Sequence, residues 1–165
     1  MPTLQISVQR FSVTSSKSFE SVIETIDSAV GHPDMRGFAK DMAATPDWAS
    51  LEEVVHRAVG SSGFMEFVRF DPGAVLRKES GLPTPKMVRV IIGNPLVMKE
   101  MAKHAPDTGS YAPVSVLIDE RSDGVRLSYD TMASLLAPYG NEKALEVARE
   151  LDSKIEKLLT EAARS

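Results

Sequence analysis

Two alternating runs late in the chain limit the fold more than any other feature. Val114, Val116 and Ile118 alternate with Ser115, Leu117 and Asp119; Val125, Leu127 and Tyr129 alternate with Arg126 and Ser128. A period of two puts the apolar members on one face of a strand and leaves the other face toward water. Between the runs lies Ser122-Asp123-Gly124, whose Asp-Gly pair suits the left-handed backbone of a tight turn. The pair therefore reads as an antiparallel hairpin with one face in need of cover. The C-terminal stretch supplies that cover: Ala144, Ala148, Leu151, Ile155, Leu158 and Ala162 recur at steps of four and three, widened by Val147 and Leu159. This is the apolar stripe of a long helix, with Asn141 placed to cap it.

The remaining elements follow from the same periods. Leu4, Ile6 and Val8, continuing through Phe11 and Val13, predict a first strand. Phe19, Val22, Ile23, Ile26 and Val30 predict a helix that ends in a left-handed cap at Gly31. From residue 32 to 63 the order weakens: Met35 to Ala44 reads as a short helix, Thr45-Pro46-Asp47 as a break, and Trp48 to Ala58 as a second helix capped by Asp47. Phe64 to Phe70 predicts a second strand, Asp71-Pro72 the start of a helix closed by Gly81, and Met87 to Ile92 a strand apolar on both faces apart from Arg89, the expected centre of the sheet. Gly93-Asn94-Pro95 turns that strand into a helix with asparagine as cap. Asp130 is placed as the cap of a short helix ending before Pro138. The sum is an α+β fold, an antiparallel sheet covered on one face by helices, in one domain of 165 residues.

Composition closes off several functions. With no cysteine there is no thiol catalysis, disulfide or cysteine-based metal site. Nineteen basic against 23 acidic residues give a net charge of -4, the wrong sign for holding nucleic acid or an anionic membrane. No apolar run reaches the roughly 20 residues of a membrane span, and the N-terminus has no leader pattern, so a cytoplasmic protein is expected. His32, His56 and His104 stand in separate segments without the i, i+4 spacing that puts two ligands on one helix face, so no metal site is expected. The Gly-rich nucleotide motifs and the serine-hydrolase elbow are missing, and no cofactor is expected.

The pieces Phe70-Asp71, Gly81-Leu82-Pro83, Val90-Ile91-Ile92-Gly93-Asn94-Pro95, Ala112-Pro113-Val114 through Glu120, Asp123-Gly124 and Ser128-Tyr129-Asp130, in that order and spacing, resemble the bacterial and archaeal family named domain of unknown function 302. The resemblance implies a β-α-β-β-β-β-α core of the TATA-box-binding-like, helix-grip type and a homodimer, and no established activity. Two departures stand out. Where many members have Asp-His, this chain has Asp71-Pro72, so no role for that imidazole carries over. Residues 32–63 read as a helical insertion after the first helix, with Met35, Phe38, Met42 and Trp48 as a satellite core, a lid or a subunit contact.

Candidate site residues come from polar groups set in apolar surroundings. With Asp123 and Gly124 as the loop, Ile118 faces Tyr129 and Glu120 faces Leu127, which places the Glu120 carboxylate on the apolar face as an acid, base or ligand anchor; the plainer alternative is a strand end reaching water. Tyr129 could serve a ligand or a buried carboxylate, and Arg89 needs a carboxylate partner, with Glu120 as one option, or a path to solvent. Gly93 and Asn94 offer free backbone N–H groups or a simple cap. The leading expectation is a non-enzymatic domain holding a small molecule between sheet and C-terminal helix, with Arg89, Gly93, Asn94, Glu120 and Tyr129 around it. The alternatives are an acid–base enzyme using Glu120 and Tyr129, and a structural subunit.

Overall fold

The computed structural model describes residues 3–164 and builds one five-stranded antiparallel sheet with helices on one face. In chain order the elements are β1 (Arg10–Ser15), α1 (Phe19–Ala29), α2 (Met35–Ala44), α3 (Trp48–Ala58), β2 (Met65–Phe70), α4 (Pro72–Ser80), β3 (Met87–Gly93), α5 (Pro95–Ala102), β4 (Val114–Arg121), β5 (Gly124–Asp130), α6 (Met132–Leu136) and α7 (Glu142–Ala163), with tight 3-10 turns at Pro106–Ser110 and Ala137–Tyr139. The strand order is β1-β5-β4-β3-β2. The α+β architecture expected from the sequence is the one found.

Alternation decides which side chains meet the helices. Phe11 and Val13 from β1, Val90 and Ile92 from β3, Val114, Val116 and Ile118 from β4, and Val125, Leu127 and Tyr129 from β5 pack into one core with Val22, Ile26, Leu136 and the α7 stripe. In α7, Ala144, Ala148, Leu151, Ile155, Leu158 and Ala162 are all buried, as the spacing predicts, and Asn141 Oδ1 accepts from the Ala144 N–H. The helix lies across β1 and β5 and touches α1, α5 and α6. Each fully buried leucine or isoleucine contributes roughly 2 kcal/mol of transfer free energy, so this helix is the main brace of the sheet. No helix among the described residues is long and apolar enough to cross a membrane.

Several local expectations change. The first strand begins at Arg10, not Leu4; Leu4 and Val8 are 53% and 46% exposed. Arg10 already pairs with Asp130, the last residue of β5, so residues 4–9 have no strand left to join, and Gln9 bonds to Ser134 Oγ and the Thr131 N–H instead. Helix α1 ends at Ala29 with an extended cap at Val30, and Gly31 makes no left-handed turn. Gly31 is used for a close approach: a Cβ there would lie 1.9 Å from the Ala58 carbonyl oxygen. The strand of residues 87–93 is not central. That place belongs to β4, and Arg89 on β3 is exposed, as a strand nearer the edge permits. Residues 32–63 do hold two helices, but no residue of α2 is fully buried, so Met35, Phe38 and Met42 are half-covered surface groups and not a closed core. Helix α4 behaves as expected, capped by Asp71 and closed by Gly81 at φ +71.

Candidate ligand site

The hairpin sets the geometry of the candidate residues. Its loop is Ser122-Asp123, and Gly124 is already in the strand opposite Arg121, so Glu120 faces Val125, Ile118 faces Leu127 and Val116 faces Tyr129. The register is two residues from the one expected. Gly124, at φ +132, lies against the end of β1, where a Cβ would come within 2.4 Å of the Ser15 carbonyl oxygen; this contact draws the glycine into the ladder and leaves the turn to Ser122-Asp123. A shift of two preserves alternation, so Glu120 keeps its predicted face.

Glu120 is half-buried at the hairpin end, where Oε2 accepts from the Lys86 N–H at 2.7 Å and its own N–H donates to the Lys86 carbonyl. It fastens the entry of β3. Gly93 and Asn94 lie at the opposite end of that strand: Met87 pairs with Asp119 and Ile92 with Val114. At about 3.3 Å per residue the two ends are roughly 20 Å apart, so the Gly-Asn-Pro turn and Glu120 do not converge. Tyr129 lies four residues along the ladder from the level of Glu120, roughly 13 Å, which puts the expected acid–base pair out of mutual reach. Arg89 pairs in register with Leu117 on the helix-free face, while Glu120 points to the helix face. The Arg89–Glu120 pair therefore does not form, and the Arg89 Nε donates to Ser115 Oγ at 2.7 Å.

Tyr129 and Asn94 are committed to the structure. The Tyr129 hydroxyl donates to Asp152 Oδ1 at 2.6 Å, and burial, followed by the charge of Asp152, raises its pKa well above that of free tyrosine. Asn94 Oδ1 caps α5 through the Leu96 N–H at 2.9 Å, and its Nδ2 donates to the Gly63 carbonyl at 3.0 Å. Beside it Gly93, Phe67, Met98, Met101 and Leu151 line an apolar cleft of about 110 Å³.

A larger cavity, about 310 Å³, lies on the helix-free face. Arg10, Arg89, Ser115, Leu117 and Ser128 line its sheet side, and Tyr111 and Leu135 flank it. Arg10 grips Asp130 with Nε and Nη2 at 2.6 and 2.9 Å. The Tyr111 hydroxyl is shared with Tyr139 at 2.7 Å.

Two clusters escaped the sequence reading. Asp152, next to Leu151 on α7, is 7% exposed and receives three hydrogen bonds, from Tyr129, Met132 N–H and Ala133 N–H. It caps α6 from across the fold, in place of Asp130, which is bound to Arg10. The signal was available: position 152 falls four after Ala148 and three before Ile155, inside the stripe, where a carboxylate needs partners. The second cluster joins Asp27, His32 and Glu66, whose ligand-type atoms lie within 4.8 Å of one another. The parallel bridge between Gly31 and Met65 brings them together, a contact that no local spacing reveals. Arg69 Nη2 stands 2.5 Å from both Asp27 Oδ1 and Glu66 Oε2, so a cation already occupies the acidic pair, and a metal ion would have to displace it.

Comparison with known proteins gives the lineage. A crystal structure of an uncharacterized conserved protein DUF302 from Bacillus stearothermophilus superposes with a TM-score of 0.64 over 94% of this chain and 98% of that one, at 15% identity, a likeness of fold alone. No curated protein matches the chain. The family model described as Domain of unknown function DUF302 matches residues 40–162, from within α2 to the end of α7. With that span of β2 to β5, the Gly-Asn-Pro turn and the bracing helix inside the match, the chain belongs to the DUF302 family.

Proposed function

We propose that this protein is a small-molecule-binding domain without catalysis, and that its ligand lies in the cavity on the helix-free face of the sheet. The observation that carries the reading is the cavity itself: about 310 Å³, near the lower end of ligand-pocket volumes, with guanidinium and hydroxyl groups held by a rigid sheet. Of the candidates, Arg89 belongs to this site, and Tyr129 lines it only from within the sheet, its hydroxyl being turned to Asp152. Gly93 and Asn94 shape the smaller apolar cleft, and Glu120 is a strand fastener. Native mass spectrometry of protein purified from its own cells tests the reading: a retained small molecule supports it, and its loss from a Ser128→Trp variant that fills the cavity places it there. A ligand retained equally by that variant overturns the location.

Self-association at the β2 edge is a second reading, supported by its surface. Val68 and Phe70 on β2, and Val75, Leu76 and Leu82 in and after α4, are exposed apolar residues beside an edge strand. Two copies of one edge strand pair antiparallel about a two-fold axis and complete each other's hydrogen-bond ladder. Sedimentation should show a dimer that Phe70→Glu converts to monomer; a wild-type monomer at high concentration overturns this reading.

A further inference from the structure

We infer that the ligand of the helix-free cavity is a small organic acid, with its carboxylate held end-on by Arg89. The inference rests on the reading of that cavity as the ligand site and adds the chemical class. Two guanidinium groups line the space, and they are not equivalent. Arg10 spends its fork on both oxygens of Asp130, at 2.6 and 2.9 Å. Arg89 has no carboxylate partner among the described residues; its one hydrogen bond is from Nε to Ser115 Oγ at 2.7 Å. That bond fixes the plane of the guanidinium and leaves its terminal amino groups to meet a ligand.

The charges give the sign. Arg10 and Asp130 cancel, so Arg89 leaves the cavity with a surplus positive charge in a chain whose net charge is -4. A planar fork with two parallel N–H donors matches the two oxygens of a carboxylate, and a charge-assisted pair of this kind is roughly twice as strong as a neutral hydrogen bond. Leu117, across the ladder from Arg89, and Leu135 offer apolar contact to the rest of the molecule, while the Ser128 hydroxyl adds a neutral polar group. Because Arg89 is exposed and its side chain bonds only to Ser115 among the described residues, its replacement is expected to leave the fold intact, which the Met132 amide checks.

The test is a titration followed by amide and arginine side-chain NMR, using succinate, benzoate, the neutral succinamide and inorganic phosphate as probes. The expected result is saturable movement of the Arg89 Nε–H and of the Ser115 and Leu117 amides with succinate or benzoate, about tenfold weaker in Arg89→Gln, with the Met132 amide unmoved as a control of folding. Acids that bind Arg89→Gln as well as wild type overturn the inference. Succinamide moving the same amides while the acids do not leaves the cavity a ligand site and overturns the acid class. Phosphate binding as tightly as the acids overturns the preference for a carboxylate, and no movement with any probe counts against both the class and the site.

Discussion

Tyr129 on β5 and Asp152 on α7 meet in the core, hydroxyl to carboxylate at 2.6 Å, and the same carboxylate receives the N–H groups of Met132 and Ala133 at 2.7 and 3.0 Å. One side chain thus joins the bracing helix, the last strand and the first turn of α6. Asp152→Ala leaves the Tyr129 hydroxyl and the Ala133 N–H without their acceptor, while the Met132 N–H keeps only the Tyr129 oxygen at 3.1 Å. The change should lower stability by about 3 kcal/mol, whereas Tyr129→Phe, which leaves both backbone donors satisfied, should cost about 1 kcal/mol. Urea unfolding of the two single variants and the double variant checks this. The double variant should lose less than the sum, because the groups share one network.

The contrast between this buried carboxylate and Glu120 shows what the sequence could convey. Alternation and helical spacing are local, so the strands, the α7 stripe, the Asn94 and Asn141 caps and the Gly81 stop could be read directly. Pairings between distant segments carry no local period. The Arg10–Asp130 bond that shortens β1, the Gly124 contact that moves the hairpin register, and the Gly31–Met65 bridge that gathers Asp27, His32 and Glu66 all depend on which strand lies beside which. The site suffered most. Arg89, Gly93, Glu120 and Tyr129 each sit where their own strand position puts them, yet antiparallel β3 and β4 carry Gly93 and Glu120 to opposite ends, and alternation carries Arg89 to the opposite face.

The clamp between Arg10 and Asp130 makes a pH-dependent contribution. The hydrogen bond from Arg10 holds the Asp130 carboxyl below its ordinary value, against the opposing effect of partial burial. A carboxyl lowered in the folded state adds stability above its unfolded pKa, near 3.9, and loses it as pH falls through the lower folded value. Asp130→Asn should therefore cost about 0.5 kcal/mol at neutral pH, the pair being partly exposed, and show a flatter fall in melting temperature below about pH 4 than wild type. Parallel melting curves in the two proteins from pH 3 to 7 would count against the clamp.

Gly31 and Gly60 cross where the end of α1 meets the end of α3, and both donate their N–H groups to the Phe64 carbonyl at 2.9 Å. A Cβ on Gly31 would reach 1.9 Å from the Ala58 oxygen, and one on Gly60 would reach 2.4 Å from the Ala29 oxygen. Backbone cannot rotate aside, so Gly31→Ala should cost about 3 kcal/mol or more and release the start of β2. Gly81→Ala makes a useful comparison: its site is open, and only the left-handed backbone at φ +71 penalises the methyl, so about 1 kcal/mol is expected. Chemical unfolding of both variants should give that order, and hydrogen exchange should show the Gly31 change loosening the Glu66 amide, which donates to the Gly31 carbonyl.

Arg69 binds α1 to β2 by bridging Asp27 and Glu66, with Nη2 at 2.5 Å from each carboxylate and a further bond from Nε to Glu66 at 3.1 Å. Arg69→Met keeps the length of the side chain and removes the charge, leaving two neighbouring carboxylates to repel, one of them only 14% exposed. A loss of about 2 kcal/mol is expected, larger than an exposed pair would give and smaller than a fully buried one. If repulsion carries the loss, adding Asp27→Asn to Arg69→Met should recover part of it, although Asp27→Asn alone destabilises the wild type. Denaturation midpoints of the four proteins decide the matter, and a double variant no more stable than Arg69→Met would assign the cost to lost hydrogen bonds instead of uncompensated charge.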